Sequence, residues 1–94
     1  MTYRIARNLS RDRDTWVLKV VGSADQRRGV PDLIICHQGL FIGAEMKLPG
    51  QRMSRIQEVE CDRIVAAGGV AGVATCREDV DEMIRKALLR EAVQ

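Results

Sequence analysis

Residues 28–50 read RGVPDLIICHQGLFIGAEMKLPG, which is two apolar runs joined by a short polar segment. The runs 33–36 and 40–47 are rich in large apolar residues and predict two β-strands. The tripeptide 37–39, His-Gln-Gly, is typical of a turn between strands. The stretch therefore predicts a β-hairpin, and the charged residues within it need an explanation.

Three charged residues, Asp32, Glu45 and Lys47, occupy positions that otherwise look buried. Burying a charged group is costly unless the group has a partner. A turn centred on 38–39 places Asp32 directly opposite Glu45, with their Cβ atoms about 4.5–5.5 Å apart. Strand alternation puts Lys47 on the same face as Glu45. The other face then carries Leu40, Ile42, Ala44 and Met46.

The spacing alone leaves two interpretations of these charges open. Two carboxylates in opposed positions repel each other unless a cation lies between them, and a hard divalent ion fits that geometry. However, a slip of one residue would move Asp32 and Glu45 to opposite faces. Asp32 would then be an ordinary turn residue after Pro31, and Glu45 with Lys47 a solvated pair on an edge strand. Spacing therefore favours neither a metal site nor a structural role.

The chain, residues 1–94, has the size and composition of one small domain with a single core. Hydrophobic residues make up 46% and charged residues 30%, the balance of a globular protein rather than a disordered one. Aromatic residues are only 3%. A base-stacking platform is therefore not expected, and Trp16 is predicted to anchor the core.

Further elements are predicted on both sides of the hairpin. A short helix over 2–8 and a strand over 16–21 precede it, followed by a loop over 22–29. A helix from Ser54, a strand over 70–75 and a final helix come after it. A strand that joins such a hairpin through a helix makes the sheet mixed. The predicted fold is α/β, with a mixed four-stranded sheet flanked by helices (αβββαβ, then the final helix).

The two later helices have predicted caps and predicted buried stripes. Ser54 and Gln57 form a capping box, and Thr75 with Glu78 is a second candidate. The glycine pair 68–69 ends the first of these helices. The predicted buried residues of that helix are Ile56, Val59, Ile64 and Ala67. Those of the final helix are Val80, Met83, Ile84, Ala87 and Leu88.

Charge is spread unevenly along the chain. Residues 1–28 hold seven basic and three acidic residues, a balance of +4. Residues 29–55 hold three basic and two acidic residues, and residues 56–94 hold five basic and eight acidic ones. A basic first half indicates an anionic partner such as nucleic acid. A solvated charged face is the commoner cause of such a cluster, and composition does not separate the two.

Cysteine and apolar patterns indicate the compartment. Cys36, Cys61 and Cys76 show no C-x-x-C spacing and are predicted to be small core residues in a reducing cytoplasm. The only histidine, His37, lies in the predicted turn and is expected at the surface, so a structural zinc site is not expected. No apolar run approaches about 18 residues, and no signal peptide opens the chain, so no membrane partner is expected.

Three motifs occur in a characteristic order, namely Gly29-x-Pro31-Asp32, Glu45-x-Lys47 and Ser54-x-x-Gln57. The series resembles the PD-(D/E)XK nucleases and, more narrowly, the VRR-NUC (virus-type replication and repair nuclease) family. The resemblance runs from about Lys19 to Ile84. It implies a nuclease core and a metal-dependent endonuclease that cuts branched DNA, Holliday junctions in particular. Minimal members of about this length resemble phage-encoded enzymes that act as homodimers, here in the cytoplasm of a bacterial host.

The resemblance also implies roles for individual residues. Asp32, Glu45 and the backbone carbonyl of Met46 would bind Mg²⁺ or Mn²⁺. Lys47 would position or help deprotonate the attacking water and offset charge in the transition state. Gln57 would lie beside the site on the following helix, and its capping role is an equally good explanation.

Binding partners follow from the same resemblance and from the charges around the motifs. The arginine pairs that precede and follow the metal motif are candidates for DNA phosphate contacts, with solvated loop charges as the alternative. These arginines are Arg27, Arg28, Arg52 and Arg55. A homodimer would supply two symmetric cuts. Its candidate surfaces are the N-terminal segment and the final helix, where Leu89 and Val93 add apolar positions.

One departure from the family pattern concerns the first helix. Members commonly carry a glutamate there as an additional metal-site acid, but no Glu precedes Glu45 in this chain. Only Asp12, Asp14 and Asp25 are acidic in that part. The departure leaves two functions open: a nuclease with an altered metal site, or a non-catalytic DNA-binding or assembly module that retains the fold.

Overall fold

A computed structural model of the chain describes residues 2–21 and 27–92. In chain order its elements are α1 Thr2–Leu9, β1 Thr15–Lys19, β2 Leu33–His37, β3 Leu40–Met46, α2 Arg55–Ala66, β4 Val70–Ala74 and α3 Arg77–Ala92. This is the predicted order of elements. The predicted loop over 22–29 lies partly outside the described residues, at 22–26. No helix in the two described ranges is long and apolar enough to cross a membrane.

The four strands form one sheet in the order β1-β2-β3-β4. The first three strands are antiparallel and β4 runs parallel to β3, so the sheet is mixed, as predicted. The hairpin also has the predicted register, in which His37 pairs with Leu40. Gln38 and Gly39 both have positive φ, 51° and 83°. Positive φ at both central residues gives the turn a twist that matches the flanking strands.

One side of the sheet, the closed face, carries the main core. Its buried strand residues are Leu33, Ile35, Ile42 and Ala44. Helices α1 and α3 cover this face, and they contribute Ile5, Leu9, Val80, Met83 and Ala87 to one apolar cluster. Ile84 packs against the cluster as predicted, whereas Leu88 is 36% exposed. The amphipathic pattern of α3 therefore predicts its buried side well except at the last position.

The opposite side of the sheet, the open face, carries Trp16, Ile34, Cys36, Phe41 and Glu45, which alternate with the closed-face residues along their strands. Helix α2 lies over β3 and β4 on this side. Its N-terminal capping box between Ser54 and Gln57 is present as predicted.

The predicted buried stripe of α2 is wrong. Ile56 and Val59 are 44% and 37% exposed, and Ala67 is exposed as well. The buried residue of the helix is Cys61, one helical turn after Gln57. Because Gln57 reaches the sheet to contact Glu45, the helix presents its 57–61–64 side to the strands and turns Ile56 and Val59 away.

The cap of α3 also differs from the predicted pair of Thr75 and Glu78. The backbone N–H and the hydroxyl of Thr75 both donate to Asp79 Oδ2, each at 2.8 Å. These hydrogen bonds lower the pKa of Asp79. Asp79 acts because it lies at the third helical position, where a carboxylate can reach back to the preceding turn.

Trp16 is not the predicted core anchor, because it is 58% exposed on the open face. The strand that carries it spans 15–19 rather than 16–21. Of the three cysteines only Cys61 is buried as predicted; Cys36 is exposed and Cys76 is half-buried. His37, expected at the surface, is half-buried, with its Nδ1 2.8 Å from the hydroxyl of Thr15.

Candidate metal and catalytic site

Asp32 is held at the edge of the sheet where β2 begins and β3 ends. Its carbonyl accepts a hydrogen bond from Val20 N–H (2.8 Å). Its side-chain Oδ2 accepts one from the Met46 backbone N–H (2.9 Å). The hairpin register, continued by one pair, places Asp32 opposite Glu45 as predicted. Both carboxylates therefore lie at the same end of the open face.

Two residues before Asp32 fix its position by close packing. Gly29 has φ of 81°, and a Cβ there would lie 2.6 Å from the Ile56 carbonyl oxygen of α2. Pro31 is buried against Gly43, where a Cβ would lie 2.9 Å from the proline Cγ. The motif glycine and proline are thus packing requirements for presenting the acid. The sequence motif contains both residues, but it gives no indication of this packing.

Glu45 is almost fully buried, at 2% exposure. Its Oε1 accepts a hydrogen bond from Gln57 Nε2 (3.0 Å). Its Oε2 is also buried, and no donor among the described residues points at it. A buried acceptor without a partner costs about 1–3 kcal/mol, so the fold carries an unfavourable feature at this atom.

Gln57 makes both of the contacts that the sequence left as alternatives. Its Oε1 accepts from the Ser54 backbone N–H (2.8 Å), which completes the capping box. Its Nε2 donates to Glu45 at the same time. Because an amide offers an acceptor and donors on opposite sides, one side chain links the start of α2 to the buried carboxylate.

The surroundings of Glu45 raise the pKa of its carboxyl from 4.5 to about 7. Burial is the largest cause; a hydrogen bond shared with Asp32 and the repulsion of that residue's negative charge come next. The positive charge of Lys47 acts in the opposite direction, so the lysine lies close enough to influence the pair. Burial also raises the pKa of the neighbouring Cys61 thiol, assisted by the charge of Glu45.

The donor set suits a hard divalent cation rather than zinc. No cluster of three or more His, Cys, Asp or Glu side chains occurs within residues 2–21 and 27–92. Mg²⁺ typically uses one or two protein carboxylates and keeps several waters. The opposed Asp32 and Glu45 supply two carboxylates, and the unpartnered Glu45 Oε2 supplies a free oxygen. The residues present therefore fit Mg²⁺ or Mn²⁺. The predicted carbonyl ligand belongs to Met46, whose N–H already holds Asp32.

The structure separates the four predicted DNA-binding arginines. Arg27 donates twice to Glu60 of α2, at 2.7 Å and 2.8 Å. Arg55 pairs more loosely with Glu58 (3.4 Å). Arg28 and Arg52 are exposed. One arginine on each side of the metal motif is thus engaged with an acid of α2.

The first helix provides no carboxylate to the site. Helix α1 contains neither Asp nor Glu. Asp12 and Asp14 follow it at the opposite end of β1, exposed, and Asp25 lies outside the described residues. The departure noted in the sequence therefore holds for the described part of the chain.

Comparison with known proteins addresses the fold. A solved structure described as a VRR_NUC domain matches with a TM-score of 0.68 and 24% sequence identity, covering 88% of this chain and 89% of that one. No protein-family model matches the sequence, and no curated protein matches it.

This chain has the fold of a VRR-NUC domain. The predicted PD-(D/E)XK core, with its mixed four-stranded sheet, is thereby confirmed. In the VRR-NUC fold of this chain, the motif residues Asp32, Glu45, Lys47 and Gln57 meet at one end of the open face.

Proposed function

We propose that this chain is a metal-dependent endonuclease that hydrolyses phosphodiester bonds in DNA. The observation that carries the proposal is the buried Glu45, which is opposed to Asp32 and has one oxygen without a donor. Two carboxylates forced together in a poorly solvated position destabilise the metal-free protein. Strongly perturbed carboxyl groups of this kind concentrate at functional sites. A divalent cation would relieve both the repulsion and the missing contact.

Each residue of the site has a part in the proposed reaction. Asp32, Glu45 and the Met46 carbonyl would hold Mg²⁺ or Mn²⁺, which when bound polarises a phosphoryl oxygen and lowers the pKa of water. Lys47 would orient the attacking water and offset negative charge that develops on the phosphoryl oxygens. Gln57 would keep the Glu45 carboxylate oriented through the hydrogen bond described above.

The proposed substrate is branched DNA, such as a Holliday junction, cut by a homodimer. The basic first half of the chain supports an anionic partner. Exposed Arg28 and Arg52 are free to contact phosphates, whereas Arg27 and Arg55 would exchange Glu60 and Glu58 for phosphate on binding. Two active sites related by a two-fold axis match the two symmetric cuts that a four-way junction needs.

A second candidate function is supported by the composition of α1. Because that helix supplies no acid, the chain could be a DNA-binding or assembly module that keeps the fold but does not cleave. Both candidates bind DNA and only the first then cleaves it, so one assay on the same substrates separates them.

The test is cleavage of duplex, flap and four-way-junction DNA in Mg²⁺, in Mn²⁺ and in EDTA. We expect metal-dependent cleavage, greatest on the junction, that is lost in Glu45→Gln while junction binding persists. Glu58→Gln is the matched control, because Glu58 is a half-exposed acid of α2 outside the carboxylate pair. Binding without cleavage by the wild-type protein in either metal would favour the non-catalytic module.

A further inference from the structure

The two faces of the sheet are covered to different extents. On the open face, α2 lies over β3 and β4, which leaves the half formed by β1 and β2 without a helix. This bare half carries apolar side chains, and several are well exposed, including Trp16 at 58%, Leu18 at 44% and Phe41 at 43%. We call the surface formed by Trp16, Leu18, Ile34, Cys36 and Phe41 the apolar patch. An exposed apolar surface rimmed by polar residues marks an interaction site.

A groove adjoins the apolar patch where the sheet meets α2. It has a volume of about 410 Å³, and its apolar lining is Phe41, Ile64, Ala67 and Gly69. The ion pair between Arg27 and Glu60 lies on the same lining. Pockets of this size accept a large organic group. Trp16 and Phe41 belong to one row across the sheet, separated only by Cys36 of β2, so the exposed indole is about 10 Å from the groove.

The charges of this surface favour a protein over DNA. None of the five residues of the apolar patch is charged. The arginine at the groove is already neutralised by Glu60, which it contacts with two hydrogen bonds. DNA-binding surfaces present cations that are free to replace counterions on phosphates. An uncharged centre with exposed aromatic residues and a polar rim is instead typical of a protein–protein interface.

We infer that the apolar patch and its groove bind a second copy of this chain. A two-fold contact needs a surface that is complementary to itself, and here a projecting Trp16 and an apolar groove lie side by side on one face. In such a dimer the indole of each copy enters the groove of the other. The Arg27–Glu60 pair of each copy lies at the margin, where opposite charges can face each other across the axis.

The available area and the position of the metal site are consistent with this dimer. The molecule measures 36 × 28 × 28 Å, so a face of 28 × 28 Å offers about 800 Å², the area per partner of a standard interface. Glu45 lies four residues along β3 from Phe41, about 13 Å away. The dimer would therefore leave the carboxylate pair at the strand ends accessible to DNA.

This surface differs from those favoured by the sequence. Helices α1 and α3 already use their apolar sides to cover the closed face. Leu89 is 51% exposed on α3, and Val93 lies outside the described residues. Leu89 thus provides a matched control, because it is an exposed apolar residue on the other side of the sheet.

Sedimentation velocity without DNA, from micromolar concentration downward, tests the inference on wild type, Trp16→Glu and Leu89→Glu. We expect a 21 kDa dimer, twice the 10.5 kDa chain mass, for wild type and Leu89→Glu, and a folded monomer for Trp16→Glu. Because Trp16 is exposed in the isolated chain, its replacement should not unfold the protein. A wild-type monomer, or a dimer lost in Leu89→Glu and kept in Trp16→Glu, would overturn the inference.

Intrinsic fluorescence gives a second readout that needs no variant, because Trp16 is the only tryptophan. Dilution of the wild-type protein should shift its emission to the red as the indole leaves the groove of the partner. Emission that is independent of concentration and responds only to an added single-stranded oligonucleotide would instead make the patch a base-stacking surface. These measurements use neither metal nor cleavage, so they can fail without affecting the proposed nuclease function, and the reverse also holds.

Discussion

The closed and open faces of the sheet show two different relations between sequence and structure. On the closed face, the strand residues Leu33, Ile35 and Ile42 are fully buried under α1 and α3. On the open face, a carboxylate is buried at one end of β3 while Phe41 is exposed at the other. Stability alone would favour the reverse arrangement. The face that violates the packing rules is therefore the one to which function is assigned.

The largest expected effect comes from breaking the closed face in a matched pair of neighbours on β2. Ile35→Ala should lower the free energy of unfolding by about 2–5 kcal/mol, because Ile35 is fully buried and leaves a cavity. Ile34→Ala, on the open face and only partly buried, should cost well under half of that. Urea unfolding at one low protein concentration measures both. Equal losses would mean that the two faces contribute equally to the core.

The next effect is the pH dependence that the open face should introduce. The folded metal-free protein holds a proton on Glu45 that the unfolded chain releases, because the pKa is about 7 rather than 4.5. Stability should therefore fall as pH rises from 4.5 to 7, by at most about 1.4 kcal/mol per pH unit. Unfolding titrations of wild type and Glu45→Gln at several pH values measure this. If the variant keeps the same dependence in that window, the proton belongs to another group.

A smaller effect separates the two contacts of Gln57. Gln57→Ala should cost about 1 kcal/mol through the lost cap, and should also reduce cleavage about 10–100-fold because Glu45 loses its hydrogen bond. Ser54→Ala is the control, since it removes the cap and leaves the contact with Glu45. Melting temperature and initial cleavage rate are measured for both variants. Equal losses of cleavage would show that the cap, not the contact with Glu45, matters to the reaction.

The smallest effect distinguishes two adjacent acids at the start of α3. Asp79→Ala should lower the melting temperature because Thr75 loses the acceptor of two hydrogen bonds. Glu78→Ala, at an exposed position, should leave it unchanged. Differential scanning fluorimetry of the two variants is sufficient. A larger fall for Glu78→Ala would restore the cap that the sequence pattern favoured.

Local sequence rules predict the hairpin and the carboxylate pair well. The turn at 37–39 and the two-residue period of the strands fix the register, and the register alone places Asp32 opposite Glu45. The resemblance to VRR-NUC sequences added the residues around this pair, and the fold comparison supports it at the level of the fold.

Features that depend on which side of an element meets a neighbour were predicted less well. An apolar strand residue such as Trp16 looks the same in sequence whether its face is covered or bare, because coverage depends on where α2 lies. The stripe of α2 failed for the same reason, since a contact between Gln57 and Glu45 sets the rotation of the helix. Neither the lateral position nor the rotation of a helix is encoded in its own periodicity.

The claim that the buried carboxylate pair of the open face is a divalent-metal site is tested most directly by calorimetric titration. Mn²⁺ is added to wild type and to Glu45→Gln at pH 6, in two buffers of different protonation enthalpy. Because Glu45 is mostly protonated at that pH, wild-type protein should bind Mn²⁺ and release close to one proton, whereas Glu45→Gln should bind far more weakly and release none. Equal affinity and equal proton release in the two proteins, or no binding by wild type, would contradict the claim.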